Sequence, residues 1–92
     1  MLQIKKKKQF IKSLKNYRNK KKVLQELEIV LEILAFKKDI PKKYKDHELK
    51  GKLLGIRELH LGYDDLLLYF VRNDQNELVL IDIGTHAQVL KM

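Results

Sequence analysis

The sequence predicts an α+β fold, a β-α-α-β-β-β chain whose antiparallel sheet is covered on one face by two packed helices. Three observations predict it. Residues 6–35 carry apolar side chains at helical spacing, and residues 56–83 hold three strand-like runs separated by turn chemistry. The length, 92 residues without a cysteine, suits one domain (1–92) with one modest core.

The elements follow in order. Leu2 and Ile4 alternate with Gln3 and Lys5, a short first strand. From about Lys6 the period changes: Phe10, Leu14 and Tyr17 fall at i, i+4 and i+7, one face of a helix. The polar stretch Asn16 to Lys20 turns the chain. Val23, Leu24, Leu27, Val30, Leu31 and Leu34 then form a clean amphipathic stripe, with Glu26, Glu28 and Glu32 on its other side. The short connection implies an antiparallel helical hairpin. Pro41 closes this half, and Lys37 to Lys52 reads as a polar loop.

Ile56 to Leu61 alternates, with Arg57, Leu59 and Leu61 on one face and Ile56, Glu58 and His60 on the other. Leu66 to Val71 is continuously apolar, as in a central strand buried on both sides. Leu78 to Ile83 is the third run. The turns Gly62-Tyr63-Asp64-Asp65 and Asn73-Asp74-Gln75-Asn76 make the three a meander. Gln88 to Lys91 adds a short terminal strand. With helices on one side, the uncovered face displays Glu58, His60 and Asp82.

A content of 45% hydrophobic and 35% charged residues is globular, not disordered. The missing cysteines exclude a disulfide scaffold and a thiolate metal site. Neither a secretory leader nor a membrane span is expected, which points to the cytoplasm. The net charge of +8 is uneven: residues 1–50 hold 16 Lys/Arg against 6 Asp/Glu, and residues 51–92 hold 4 against 6. Such asymmetry suggests a polyanionic partner, nucleic acid or an acidic protein, although lysines can also merely solvate two helices.

Three histidines, His47, His60 and His86, lie on the predicted loops and strand ends, with Glu58 and Asp64 near two of them. Imidazole, with an ordinary pKa of ~6.5, exchanges protons near neutrality. No HExxH or similar spacing is present, so no metal and no cofactor are expected. RNA is cut without metal when a base takes the 2′ proton, a cation or donor steadies the phosphate, and an acid protonates the leaving 5′ oxygen. The composition permits this reaction without selecting it.

The strings Tyr44-Lys45-Asp46-His47-Glu48-Leu49-Lys50-Gly51, Arg57-Glu58-Leu59-His60-Leu61, then Asp64, Leu66-Leu67-Leu68-Tyr69 and Gly84-Thr85-His86 resemble the YafQ branch of the RelE/ParE toxin superfamily. That branch reads roughly DH-x-L-x-G, RE-x-H-[IL]-x-x-D, an LLLIY-like run and TG[ST]H in the same order. The motifs span about half the chain, and the element order extends the match. The resemblance implies a RelE-like fold and the toxin of a bacterial type II toxin–antitoxin system, a ribosome-dependent mRNA endoribonuclease (mRNA interferase). It implies catalytic positions at His86, His60, Asp64 and His47: His86 as proton donor to the leaving group, Asp64 and His60 activating the 2′-hydroxyl or orienting the phosphate, His47 positioning RNA. The implied partners are mRNA and the ribosome, a cognate acidic antitoxin, and operator DNA only as a complex with that antitoxin.

Three positions depart from the branch. Asp82 stands where an arginine usually steadies the transition state, Asp65 where a tryptophan or large apolar residue follows the aspartate, and Leu90 where a terminal aromatic is usual. The two acids predict attenuated cutting unless Arg57 or Arg72 supplies the missing cation. Arg57, with Lys5, Lys6, Lys7, Lys8, Lys20, Lys21 and Lys22, is assigned to RNA, whose phosphates such residues bind without sequence specificity, and a surface or structural ion pair is the other reading of Arg57, preferred to direct catalysis. Two rivals stand beside this reading: a RelE-fold binding protein that keeps antitoxin and operator regulation but cuts weakly or not at all, and a ParE-type gyrase poison, a branch that does not use these histidines.

Overall fold

A computed structural model describes residues 1–53 and 55–90. Its elements are β1 (Gln3–Lys6), α1 (Lys8–Leu14), α2 (Lys21–Ala35), β2 (His47–Glu48), β3 (Arg57–His60), β4 (Leu66–Arg72), β5 (Glu77–Gly84) and α3 (His86–Leu90). A 3-10 turn over Lys15–Tyr17 extends α1, which explains why Tyr17 continues the apolar face of Phe10 and Leu14. Among the described residues, no helix is long and apolar enough to cross a membrane.

The fold is α+β, built on one five-stranded sheet in the order β1-β5-β4-β3-β2. The expected meander is present: β3, β4 and β5 pair antiparallel, and β4 is central. The pairing of β1 departs from expectation, because it runs parallel to β5 and makes the sheet mixed. Alternation shows which way side chains point, and is silent on which strand a first strand joins. The helices α1 and α2 carry the chain from β1 to β2 at the opposite edge of the sheet, and the antiparallel run β2-β3-β4-β5 brings β5 back beside β1 in the same direction. All four β1 residues are exposed, and Lys5 and Lys6 on this edge discourage pairing with another chain.

Two further corrections concern short elements. The segment read as a loop contains β2, whose His47 pairs Glu58 and whose Glu48 pairs Arg57. The expected terminal strand at Gln88 to Lys91 is the helix α3 as far as Leu90; Lys91 lies outside the described residues. Its cause is Thr85-x-x-Gln88, a capping box. The Gln88 N–H donates to Thr85 Oγ1 at 3.3 Å and the Thr85 N–H to Gln88 Oε1 at 2.9 Å.

The helices bury Phe10, Tyr17, Leu27, Val30 and Leu34 against Leu59, Leu67, Tyr69, Leu78, Leu80 and Ile83. The pairings Leu59 with Leu67 and Leu67 with Ile83 put these strand residues on one face. The opposite face therefore carries His47, Glu58, His60, Leu66, Leu68 and Asp82. The ladder pairs Leu68 with Asp82 but Tyr69 with Leu80, so Ile81 is an extra residue in β5. At this bulge Asp82 Oδ1 accepts the N–H of Ile83 at 2.8 Å.

Candidate active site

Strand register assembles the site. Glu58 and His60 share a face because they are two residues apart on β3. His47 sits directly opposite Glu58 on β2, and His60 pairs with Leu66, which pairs with Gly84. Gly84 ends β5 just before His86, so the last histidine enters over the same face. A Cβ on Gly84 would lie 2.9 Å from Gln88 Oε1, the atom that caps α3. Glycine at 84 thus lets the cap form and turns His86 inward.

Glu58 is the hub. It is 3% exposed, yet its Oε1 lies 3.3 Å from His60 Nε2, 3.7 Å from His86 Nε2 and 3.9 Å from His47 Nε2. A buried carboxylate is costly without donors or positive charge beside it, and the three imidazole nitrogens that face Glu58 supply these only from a ring that carries a proton on Nε2. The rings of His60 and His86 meet edge to face with centroids 5.6 Å apart.

The outer nitrogens are anchored. Asp64 Oδ1 accepts from His86 Nδ1 at 2.7 Å and from the His86 backbone N–H at 3.2 Å. An ionised carboxylate only accepts, so Nδ1 carries the proton and Nε2 faces Glu58. The hydrogen bonds from the His86 side chain and then its backbone hold the Asp64 carboxyl below its ordinary range. His47 Nδ1 likewise donates to the Lys45 carbonyl at 2.7 Å. Each anchored ring turns Nε2 toward Glu58 Oε1.

The loop that carries Asp64 is itself tied down. Tyr17, 2% exposed, donates its hydroxyl to Asp65 Oδ1 at 2.8 Å, and the Leu61 N–H donates to the Asp65 carbonyl at 2.7 Å. Burial, then the bond to Asp65, pushes the Tyr17 phenol well above its ordinary range. Asp65 thus serves a buried phenol, a task that a tryptophan at this position could not perform.

This arrangement has close counterparts among known proteins. The family model described as "Bacterial toxin of type II toxin-antitoxin system, YafQ" matches residues 2–91. The chain belongs to the YafQ family. Among solved structures, a metal-bound toxin from Helicobacter pylori is 39% identical, with a TM-score of 0.88 over 97% of this chain and 99% of that one. YafQ from E. coli strain BL21(DE3) is 27% identical, with a TM-score of 0.85 over 97% and 98%. The E. coli DinJ–YafQ toxin–antitoxin complex contains a chain 28% identical, with a TM-score of 0.82 over 96% of each. No curated protein sequence matches significantly. The protein is therefore a toxin of a type II toxin–antitoxin system.

Not every residue singled out above lies in the cluster around Glu58. His47, His60, Asp64 and His86 converge there, together with Glu58, which was placed on the right face but given no role. Arg57 lies on the helix-covered face. Its Nε and Nη2 donate to Asp46 Oδ2 at 3.1 and 2.7 Å, and Tyr69 gives its hydroxyl to the same carboxylate. That bond to Asp46 raises the guanidinium pKa further. Arg72, at the far end of β4, lies 4.0 Å from Glu77. Among the described residues, the ion-pair partners of Glu58 and Asp64 are all histidines.

The lysines lie elsewhere. Lys5 and Lys6 are on the edge strand β1, about 14 Å from β3 at ~4.8 Å per strand. Lys7 and Lys8 begin α1, and Lys20, Lys21 and Lys22 begin α2; all seven are exposed. The metal expectation rested on the absence of a local motif, whereas register brings donor atoms of Glu58, His60 and His86 within 4.8 Å of one another.

Proposed function

We propose that this YafQ-family toxin is a ribosome-dependent mRNA endoribonuclease that cuts by metal-independent acid–base chemistry. The observation that carries the reading is the Asp64–His86 pair, which fixes the tautomer and aims Nε2 into a cleft shared with Glu58, His60 and His47. In the proposed step the 2′-hydroxyl proton passes to His60 or Glu58 and the 2′ oxygen bonds to phosphorus. The P–O5′ bond breaks, and His86, acting as the imidazolium with Nδ1–H held by Asp64, gives its Nε2 proton to the departing 5′ oxygen and is left as the neutral Nδ1–H ring. The products are a 2′,3′-cyclic phosphate and a 5′-hydroxyl. Asp64 orients His86, and His47 positions RNA.

The exposed lysines support capture of a polyanion. Lys20, Lys21 and Lys22 stand at the start of α2, which has no acid in its first turn. Cations there oppose the helix dipole, so the helix gains no stability from them. They suit ribosomal RNA or an acidic antitoxin, and the toxin–antitoxin complex of the E. coli relative supports the second partner. The antitoxin-bound form is the one proposed to bind operator DNA, and the cytoplasm is the proposed compartment. Binding to ribosomes should weaken as salt rises and on charge reversal at these lysines.

The test is expression with primer extension on a translated message. The parent should cut, and His86→Ala should cut about 10²-fold slower or worse while retaining fold and antitoxin. Equal cutting by His86→Ala removes the catalytic assignment. Asp82 lies in one cross-strand row with Leu68 and Glu58, and neither Arg57 nor Arg72 replaces the missing cation. Asp82→Arg should therefore raise the rate. A parent and an Asp82→Arg variant that both leave messages intact favour the binding-protein alternative.

A second reading of the site is favoured by its donor set. Two imidazole nitrogens and a buried carboxylate suit a transition metal such as zinc or copper, and the 39% identical H. pylori toxin is metal-bound. Glu58, His60 and His86 would hold the ion, which would supply positive charge to the cleft at the expense of the free His86 Nε2. Calorimetric titration with Zn2+ or Cu2+ should show one site that Glu58→Gln abolishes; unaltered binding by the variant removes this reading.

A further inference from the structure

The chain has four tyrosines, and three are used alike. Tyr17, Tyr44 and Tyr69 are 2%, 3% and 1% exposed and give their hydroxyls to Asp65, Glu26 and Asp46. Tyr63 is 100% exposed. Its ring contributes nothing to the core, and a full aromatic surface left in water is a cost that folding does not explain.

The turn holding Tyr63 is not slack. Leu61 and Asp65 close it through the backbone, Tyr17 fastens Asp65, and Asp64 is bonded twice to His86. A Cβ on Gly62 would meet Asp65 Oδ2 at 3.1 Å, so the turn is also compact. Tyr63 is thus presented to solvent from a fastened loop, one residue from the carboxylate that aims His86. An exposed aromatic on a fastened turn, next in sequence to the residue that holds His86, is a stacking platform, and every base of a single strand offers a π-face to it.

We propose that Tyr63 is a substrate-binding residue, stacking on a nucleobase that flanks the scissile phosphate. The proposal rests on the ribonuclease reading above and adds a subsite to it. Because stacking strength grows with ring size, the subsite favours a purine. Ring and not hydroxyl is what counts, since among the described residues Tyr63 has no hydrogen-bond partner to match those of the other three tyrosines.

The experiment titrates the full-length toxin into ribosomes programmed with a defined message and maps cuts by primer extension, for the parent, Tyr63→Ala, Tyr63→Phe and Tyr63→Trp. Unfolding midpoints should agree across the set, because the side chain touches no core. Tyr63→Ala should need about ten-fold more toxin for half-maximal cutting, in line with loss of one base–aromatic stack, and should lose its preference for a flanking purine. Tyr63→Phe should behave as the parent, and Tyr63→Trp should need no more toxin than the parent. A Tyr63→Ala variant that matches the parent in half-saturation and in cut positions overturns the proposal. So does one that cuts normally but releases the antitoxin, since the ring would then be a protein contact. A parent that cuts nothing overturns the ribonuclease reading, and the subsite with it.

Discussion

On the helix-covered face of β3, Arg57 meets Asp46 through two bonds of 3.1 and 2.7 Å, and Tyr69 completes the same carboxylate. One residue along, on the open face, Glu58 has imidazole nitrogens at 3.3, 3.7 and 3.9 Å. The first group satisfies itself: its short, matched bonds complete the carboxylate, although Asp46, Arg57 and Tyr69 also line a cavity together with Leu2, Leu34 and Val71. In the second group the donors stand slightly too far off to satisfy one another fully. That slack leaves room for a phosphate oxygen, a water or a cation. Neighbouring residues of one strand thus differ: Arg57 ties the fold together, and Glu58 stands in the cluster to which the proposed function assigns the chemistry.

Substitutions should separate the two faces. Leu27→Ala, on the helical side and 6% exposed, should lower stability by about 2–5 kcal/mol as a core cavity, read by urea unfolding. Its cutting rate per folded molecule should stay at the parent value. Glu58→Gln should do the reverse: cutting falls by about 10²-fold while the unfolding midpoint holds or rises. A large loss of stability in Glu58→Gln would mean that the open face is structural after all.

Thr85→Ala tests the hinge between the faces. It removes the Oγ1 acceptor of the α3 capping box and should cost about 1 kcal/mol, visible as faster amide exchange at Gln88 and Val89. Because α3 begins with His86, cutting should fall with it. Normal exchange would show that the cap does not hold the helix.

The smallest effect is the titration of Asp64. Its folded pKa lies below the ordinary 3.8, chiefly because of the His86 bond. The stabilisation it brings is therefore complete above 3.8 and disappears as pH falls through the lowered folded value. Carbon-detected NMR should place the midpoint below 3.8 in the parent and nearer to it in His86→Ala. Coinciding midpoints would contradict the bond.

Much of this was legible from alternation. The period of residues 56–61 and 78–83 put Glu58, His60 and Asp82 on the uncovered face, and the helical stripe from Val23 to Leu34 found the core. The same alternation put Arg57 on the covered face, so its assignment to RNA conflicted with the strand pattern, and its pairing with Asp46 explains why. The partner of β1 was hidden because a strand's own sequence is silent on its neighbour. The strand β2 is only two residues long, too short for any period. The helix α3 was signalled by Thr85 and Gln88, but the apolar spacing of Val89 and Leu90 fits strand and helix alike. Glu58 escaped a role because three histidines from separate segments meet it only through register.

The most direct test of the account is the chemistry of the cut ends, made by the parent on programmed ribosomes in magnesium with a chelator selective for zinc and copper. Transfer of the 2′ proton within the Glu58–histidine cleft and its return through His86 predicts a 2′,3′-cyclic phosphate and a 5′-hydroxyl, at an undiminished rate. Ends carrying a 5′-phosphate, or cutting that stops when chelator is added, would contradict it.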